Sequence, residues 1–192
     1  MDKPCVYQGR FQPPHRAHFE MIKRLYEKHG KVYVVIASLS KISSVNPLKS
    51  SEAKLLLSKG LADMGLGPEQ VVLWRMRRPK RYTVNPNVWV YNEVAKRLGR
   101  PFAFYTGNHS VIEALKGKPD IFPITNLAPR EIPGAKIKNK KLSATEVRRL
   151  IRAKLRWEHL LPQSVANAIK RKGLVQRIVD TMGLKRIHKH HK

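Results

Sequence analysis

The chain has 192 residues, 42% of them hydrophobic, and sets 39 Lys and Arg against 13 Asp and Glu for a formal net charge of +26. A single cysteine, Cys5, excludes an internal disulfide and a cysteine-ligated zinc, and no apolar run approaches the roughly 20 residues of a membrane-spanning helix. The expectation is a soluble, cytoplasmic protein with one substantial core, without signal peptide or leader, whose cationic excess calls for anionic partners: nucleotides, nucleic acid, acidic lipid or acidic protein.

Residues 4–8 (PCVYQ) and 32–38 (VYVVIAS) read as short buried strands, and Phe19, Ile22, Leu25 and Tyr26 recur between them at helical spacing. Strand, loop, helix and strand make a right-handed βαβ unit, whose first loop opens at the carboxyl edge of the sheet, where ligands bind. Ser50 to Met64 is helix-like, with Ser50 or Ser51 as cap, and Val71 to Trp74 is a strand. Asn85 and Pro86 supply the N-cap and first position of a helix that ends near Leu98. A strand from Phe102 to Thr106, a short helix from His109 to Lys116 and a strand from Ile121 to Ile124 follow. The alternation predicts an α/β fold, a Rossmann-like doubly wound parallel sheet.

Proline, glycine and lysine between Ala128 and Lys141 predict an exposed loop. Ser143-Ala144-Thr145-Glu146 fits the capping box S-x-x-E, so a helix is expected to start there with Val147, Leu150 and Ile151 inward. Two further short helices, each ended by glycine, are expected at 162–172 and 174–182. The predicted parts are an α/β nucleotide-binding core over 1–141, a small helical part over 142–183 and a basic tail over 184–192.

The stretch GRFQPPHRAH, residues 9–18, joins the first strand to the first helix. Gly9 lets the backbone turn tightly, and Pro13 and Pro14 stiffen the loop that delivers His15 and His18 to one face of the helix start. Free backbone amides at a helix N-terminus favour anions, so the two imidazoles with Arg10 form a phosphate-binding corner. No Asp, Glu or Cys lies nearby to complete a metal site. Spacing alone does not separate this reading from two ordinary polar residues on a surface loop.

These residues resemble the G-R-F-Q-P-x-H-x-G-H signature of the H-x-G-H nucleotidyltransferase superfamily. NPLKSSEAK (46–54) is similar to the N-P-F-T-x-x-E-R segment of the archaeal-type nicotinamide mononucleotide adenylyltransferases, and YTGNHSV (105–111) to their F-T-G-N strand end. LSATEVRRLI (142–151) resembles their S-G-T-x-[IV]-R motif, and RWEHLLPQSVANAI the W-x-x-L-[VL]-P-x-x-V stretch that follows. The motifs occur in order over most of the chain.

The resemblance implies the nucleotidyltransferase fold and an in-line adenylyl transfer, in which the phosphate of nicotinamide mononucleotide attacks the α-phosphorus of ATP to give NAD and pyrophosphate, with Mg²⁺ sharing the charge. It implies His15 and His18 on the α- and β-phosphates, Arg10 on a substrate phosphate, and Arg148 on the β- and γ-phosphates beside the amides of Ser143, Ala144 and Thr145. It places ATP against Gly9, Phe11 and Gln12 and against Thr106, Gly107 and Asn108, and the mononucleotide against Ser38, Asn87 and Trp89, whose indole stacks on the pyridinium. An ordinary buried tryptophan fits the spacing of Trp89 as well, and Thr106 to Asn108 also fit a plain strand-to-helix turn with Asn108 as cap. A homo-oligomer is implied too.

The chain departs from the pattern at Ala17 and Ala144, where the family has glycine, and at Ala53, where it has arginine; Pro86 stands in the place of the asparagine before its tryptophan, and no arginine precedes Asn46. Lys41, Lys49 and Lys54 restore charge there but not a planar fork. Two alternatives stay open. One is a related nucleotidyltransferase with another acceptor. The other is a nucleic-acid-binding protein on the same fold, using Arg75, Arg77, Arg78, Lys80 and Arg81 in one loop and Lys136, Lys138, Lys140 and Lys141 in another.

Overall fold

The computed structural model describes residues 3–37, 41–76, 79, 81, 83–124, 131–132 and 142–181. Five strands, β1 (Cys5–Gly9), β2 (Val32–Ile36), β3 (Val71–Arg75), β4 (Ala103–Thr106) and β5 (Ile121–Pro123), form one all-parallel sheet in the order β3-β2-β1-β4-β5. The crossovers carry α1 (Arg16–His29), α2 (Ser50–Ala62), α3 (Pro86–Leu98) and α4 (His109–Ala114). After β5 come α5 (Ala144–Arg152), a single 3₁₀ turn at Glu158–Leu160, α6 (Gln163–Arg171) and α7 (Leu174–Asp180). The predicted doubly wound α/β sheet is thus observed, with strand and helix limits within a few residues of those read from the sequence.

Alternation along the central strand builds two cores. Cys5 and Tyr7 of β1 face a large layer with Phe19, Ile22, Leu56 and Leu57 of α1 and α2, while Val6 faces a smaller layer with Val90 and Val94 of α3 and Val111 of α4. The C-terminal helices add Val147, Ile151, Val165, Ile169 and Ile178 to the large layer, so the helical part shares the core of the sheet. Burial in that layer drives the lone Cys5 thiol up to about 12, against a small lowering by Lys28, so it stays protonated and inert.

One cap differs from expectation. Ser50 is the first helical residue of α2, and the cap is Lys49, whose backbone N–H donates to Oε2 of Glu52 at 2.8 Å. Glu52 supplies the reach-back half of a capping box, its carboxylate accepting the N–H of the cap residue, and the helix starts one position before the start that a Ser50 cap would give. The same carboxylate receives Arg177 of α7 at 2.5 and 2.6 Å, tying the helical part to α2.

The order of the strands fixes where a ligand can go. From β1 the chain crosses to β2 on one side, and it later enters β4 on the other side of β1, so the sheet reverses its winding between the carboxyl ends of β1 and β4. A crevice opens at such a reversal.

Candidate active site

A cavity of about 300 Å³ occupies that crevice. Three segments wall it: the loop from β1 into α1, with Gly9, Arg10, Phe11, Gln12, His15 and His18; the turn after β4, with Gly107 and Asn108; and the start of α5, with Ser143, Ala144, Thr145 and Arg148. Twelve of the residues singled out in the sequence therefore meet at one place. No carboxylate is among the described residues lining it.

The β1 loop is shaped by one aromatic ring. Phe11 is 1% exposed and takes a left-handed φ of 54°, which turns its ring back over Gly9; a Cβ on Gly9 would lie 2.8 Å from Phe11 Cζ. Gly9 is there for close approach, and the sharp backbone reversal expected at Gly9 falls on Phe11 instead. The ring of Phe11 meets His18 edge to face at 5.0 Å. His18 in turn stacks on His15 with centroids 3.7 Å apart and planes 29° from parallel.

His15 is the N-cap of α1, with extended φ and ψ of −135° and 167°, and His18 occupies the third helical position. The backbone N–H of His15 donates to Nδ1 of His18 at 3.1 Å. An accepting Nδ1 places the proton of neutral His18 on Nε2, leaving that N–H as the ring's donor. Burial lowers the His18 pKa to about 3. His15 is held well below the ordinary histidine value by burial first, then by His18 and by the charge of Arg148. Both rings are thus neutral donors at pH 7 in the free protein. His15 Nδ1 is buried and has no hydrogen-bond partner among the described residues, a polar atom left over at an anion-sized cavity.

Opposite them, Ser143 caps α5, its Oγ accepting the Glu146 N–H at 3.2 Å, as the S-x-x-E pattern anticipates. The Glu146 carboxylate also holds Arg149 at 2.7 and 2.8 Å. Arg148 is 6% exposed; its Nη1 donates to the main-chain oxygen of Gln12 at 2.6 Å and its Nη2 to Thr145 Oγ1 at 3.2 Å. One turn on, Arg152 Nη2 donates to Ser44 O at 2.6 Å. Gln12 closes the circuit: its Nε2 donates to Leu48 O at 3.0 Å and its Oε1 accepts from Leu48 N at 2.9 Å. The side chain of Gln12 braces the Leu48 segment, while its main chain carries Arg148.

Ala17, the departure from H-x-G-H, is the second residue of α1 and lines the cavity. Its backbone is helical, a conformation that any residue adopts, so the methyl costs no backbone strain. Thr106 is fully buried behind the wall rather than on it. Asn87 and Trp89 do not line the cavity. Asn87 Nδ2 donates to Ser110 O at 3.1 Å, and Trp89 lies half-buried against the smaller core layer. Ser38 lies outside the described residues, as do Arg77, Arg78, Lys80 and the lysines of the 136–141 stretch. Sequence reasoning passed over Gln8, Met21, Val45, His109 and Ile124, which also line the cavity. Of these only Gln8 carried a signal, a polar residue where the strand alternation calls for an apolar one.

Among the described residues no three His, Cys, Asp or Glu side chains gather as a metal site, and no helix is long and apolar enough to cross a membrane. None of the described residues lining the cavity offers a carboxylate to a divalent cation.

Comparison with known proteins bears on the family and the fold. The cytidylyltransferase-like family model matches residues 6–150. The chain is 30% identical to the nicotinamide-nucleotide adenylyltransferase of Methanosarcina acetivorans over 174 residues, covering 86% of this chain and 87% of that one. It is 29% identical to that of Pyrobaculum aerophilum over 191 residues, covering 97% and 99%. Among solved structures, a bifunctional NMN adenylyltransferase/ADP ribose pyrophosphatase from Francisella tularensis, complexed with AMP and a manganese ion, superposes with a TM-score of 0.71 at 19% identity. That likeness covers 94% of this chain and 52% of the other, so the chain spans about half of that protein and shares its fold there.

Proposed function

The chain belongs to the cytidylyltransferase-like family, and from that premise we propose that it is a nicotinamide-nucleotide adenylyltransferase, joining ATP and nicotinamide mononucleotide into NAD and pyrophosphate. A phosphate oxygen of the mononucleotide attacks the α-phosphorus of ATP, the bond from that phosphorus to the bridging oxygen breaks, and pyrophosphate leaves with the electron pair. No protein nucleophile takes part, so the protein's task is to align two polyanions and neutralise charge as it moves to the leaving group. A cavity whose described lining holds His15, His18, His109, Arg10 and Arg148 and no carboxylate suits that task.

His18, through its Nε2–H, and His15 donate to the α- and β-phosphates; Arg148 and the first amides of α5 take the β- and γ-phosphates. Arg10 serves the attacking phosphate. Among the described residues Ile124 O alone comes near Gly107, 3.5 Å from where a Cβ would sit, which leaves a smooth wall for the nucleoside. Mg²⁺ enters as the magnesium complex of ATP, held by the triphosphate and water. Trp89, off the cavity wall, would need to approach across the rim to stack on the pyridinium.

The observation that carries the reading is the convergence of His15, His18 and Arg148, from the two ends of the chain, on one cavity. Its test is incubation of the full chain with ATP, Mg²⁺ and nicotinamide mononucleotide. NAD and pyrophosphate in equal amounts, abolished in His18→Ala, support it. Pyrophosphate release with a different mononucleotide or phosphorylated alcohol, and none with nicotinamide mononucleotide, moves the activity to another acceptor.

A second partner class is favoured by where the charge lies. The described lining of the cavity holds two of the 39 Lys and Arg, and the sequence between β3 and α3 adds Arg77, Arg78, Lys80 and Arg81 with no acidic residue. A polynucleotide held by such side chains would be retained at low salt and released steeply as salt rises. Retention of RNA that is insensitive to salt, or none at all, argues against it.

A further inference from the structure

Gln8 and Thr106 are a polar pair in a layer that is otherwise hydrocarbon. They are directly opposite each other in the β1 and β4 register, at the carboxyl end of both strands. Alternation puts them on the face of Val6 and Phe104, the smaller core under α3 and α4, where Val35, Val90, Val94 and Val111 are all buried. Thr106 is 0% exposed and Gln8 4%. The Thr106 hydroxyl donates to Gln8 Oε1 at 2.9 Å and accepts from the backbone N–H of Asn108 at 3.3 Å. The hydroxyl oxygen accepts from that amide while its proton goes to Gln8 Oε1, so the carboxamide sits with its oxygen toward Thr106.

A buried hydrogen-bonded pair adds little net stability over an apolar pair of the same shape, so two valine-like side chains would serve the core as well. What the polar pair adds is control of direction. Gln8 orients the Thr106 hydroxyl, the hydroxyl pins the Asn108 amide, and the turn that carries Gly107 and Asn108 along the cavity is thereby set against β1. Asn108 Oδ1 locks the other side of the turn by accepting from Ser110 N at 3.2 Å and Ser110 Oγ at 2.9 Å.

We infer that Gln8, acting through the buried Thr106 hydroxyl, is a positioning residue that holds the Gly107–Asn108 wall at the spacing the bound nucleotide requires. The inference rests on the adenylyltransferase reading for its ligand, ATP. The full chain is compared with Gln8→Leu/Thr106→Val, Thr106→Val and Thr106→Ser, reading the melting temperature, the ATP dissociation constant by titration calorimetry, and KM and kcat for NAD formation. The double replacement is expected to melt within a few degrees of the wild type, yet to bind ATP about tenfold more weakly, with KM for ATP rising and kcat nearly unchanged. Thr106→Ser keeps the hydroxyl and is expected to bind as the wild type does.

Wild-type ATP affinity in the folded double replacement overturns the inference, as does equal weakening by Ser and Val at 106. Should the double replacement not fold, the isosteric Thr106→Val against Thr106→Ser reads the same contact: weaker ATP binding with Val alone supports the inference, and equal binding by the two overturns it. If the wild type forms no NAD, the adenylyltransferase reading fails, while the calorimetric comparison still decides the role of the pair.

Discussion

Arg148 Nη1 donates to the main-chain oxygen of Gln12, 136 positions earlier in the chain, across 2.6 Å. The bond joins the start of α5 to the loop that carries the histidines, so the guanidinium both faces the cavity and shapes it. Thr145 Oγ1 takes the other terminal nitrogen at 3.2 Å, and the two bonds use the planar fork. Lysine offers a point charge with one nitrogen and cannot span both acceptors while still meeting a phosphate. Arg148→Lys is expected to raise KM for ATP by about tenfold or more, the worth of one to two charge-assisted hydrogen bonds. Steady-state kinetics with ATP varied is the check, and an unchanged KM removes Arg148 from the triphosphate.

The stacked histidines act as a unit. Replacing His18 by alanine removes the acceptor for the His15 N–H and the ring against which His15 lies at 3.7 Å. Loss of one preorganised donor costs about 10² to 10³ in kcat. Because each ring orients the other, His15→Ala/His18→Ala is expected to be little slower than the worse single variant, since effects within such a unit do not add. Rates that multiply across the double variant would mean that the two rings work independently.

Gly9 bears on stability as well as on the site. A Cβ there would stand 2.8 Å from the ring of Phe11, which is 1% exposed and packs edge to face against Tyr7 and His18. Gly9→Ala is expected to destabilise the fold by about 1–3 kcal/mol, the usual cost of overpacking. Chemical denaturation measures this directly. Since Phe11 also contacts His18, turnover should fall together with stability; a full-strength, fully stable Gly9→Ala protein would contradict the packing described.

Much of the fold is legible in the sequence, for identifiable reasons. The strands and helices are readable because their apolar spacing changes cleanly between periods of 2 and 3.6, and caps such as Asn85 before Pro86 and Ser143 before Glu146 mark the starts. His15, His18, Arg148 and Ser143 are readable as a set through the motifs that hold them. Lys49 as the cap of α2 is hidden because the two serines beside it are the better cap formers, and a lysine paired with Glu52 three residues on matches no S-x-x-E pattern. Phe11, rather than Gly9, carries the left-handed backbone because a tertiary contact, the ring folding over Gly9, overrides the usual preference of glycine for that region. The importance of Gln8 depends on a partner 98 residues away, and only strand register reveals it.

Two titrations separate on the acid side of neutrality. Burial depresses His18 to about 3 from an ordinary 6.5, so between those values the unfolded chain binds a proton that the folded chain refuses, and stability falls as pH drops through that window. Glu158 is depressed to about 2 from 4.5, chiefly by its hydrogen bond to Lys170, with further lowering from the backbone N–H groups of Glu158 and Trp157. Its contribution is intact above pH 4.5 and is lost as pH falls toward 2. Melting temperatures from pH 7.5 to 3 should therefore decline in two stages, first below pH 6.5 and more steeply below pH 4.5, where both groups titrate. His15, likewise depressed by burial, adds to the same decline. His18→Asn, which keeps an acceptor for the His15 N–H, is expected to lessen the slope throughout the window from pH 6.5 to 3 without abolishing it. Glu158→Gln should lessen only the slope below pH 4.5, with a constant offset above it. Saturating ATP should shift the upper stage as well: phosphates against His18 and His15 favour the protonated rings, so the complex should lose less stability than the free protein as pH falls from 6.5. A nucleotide effect that is the same at pH 7.5 and pH 5.5 would place the phosphates away from both imidazoles.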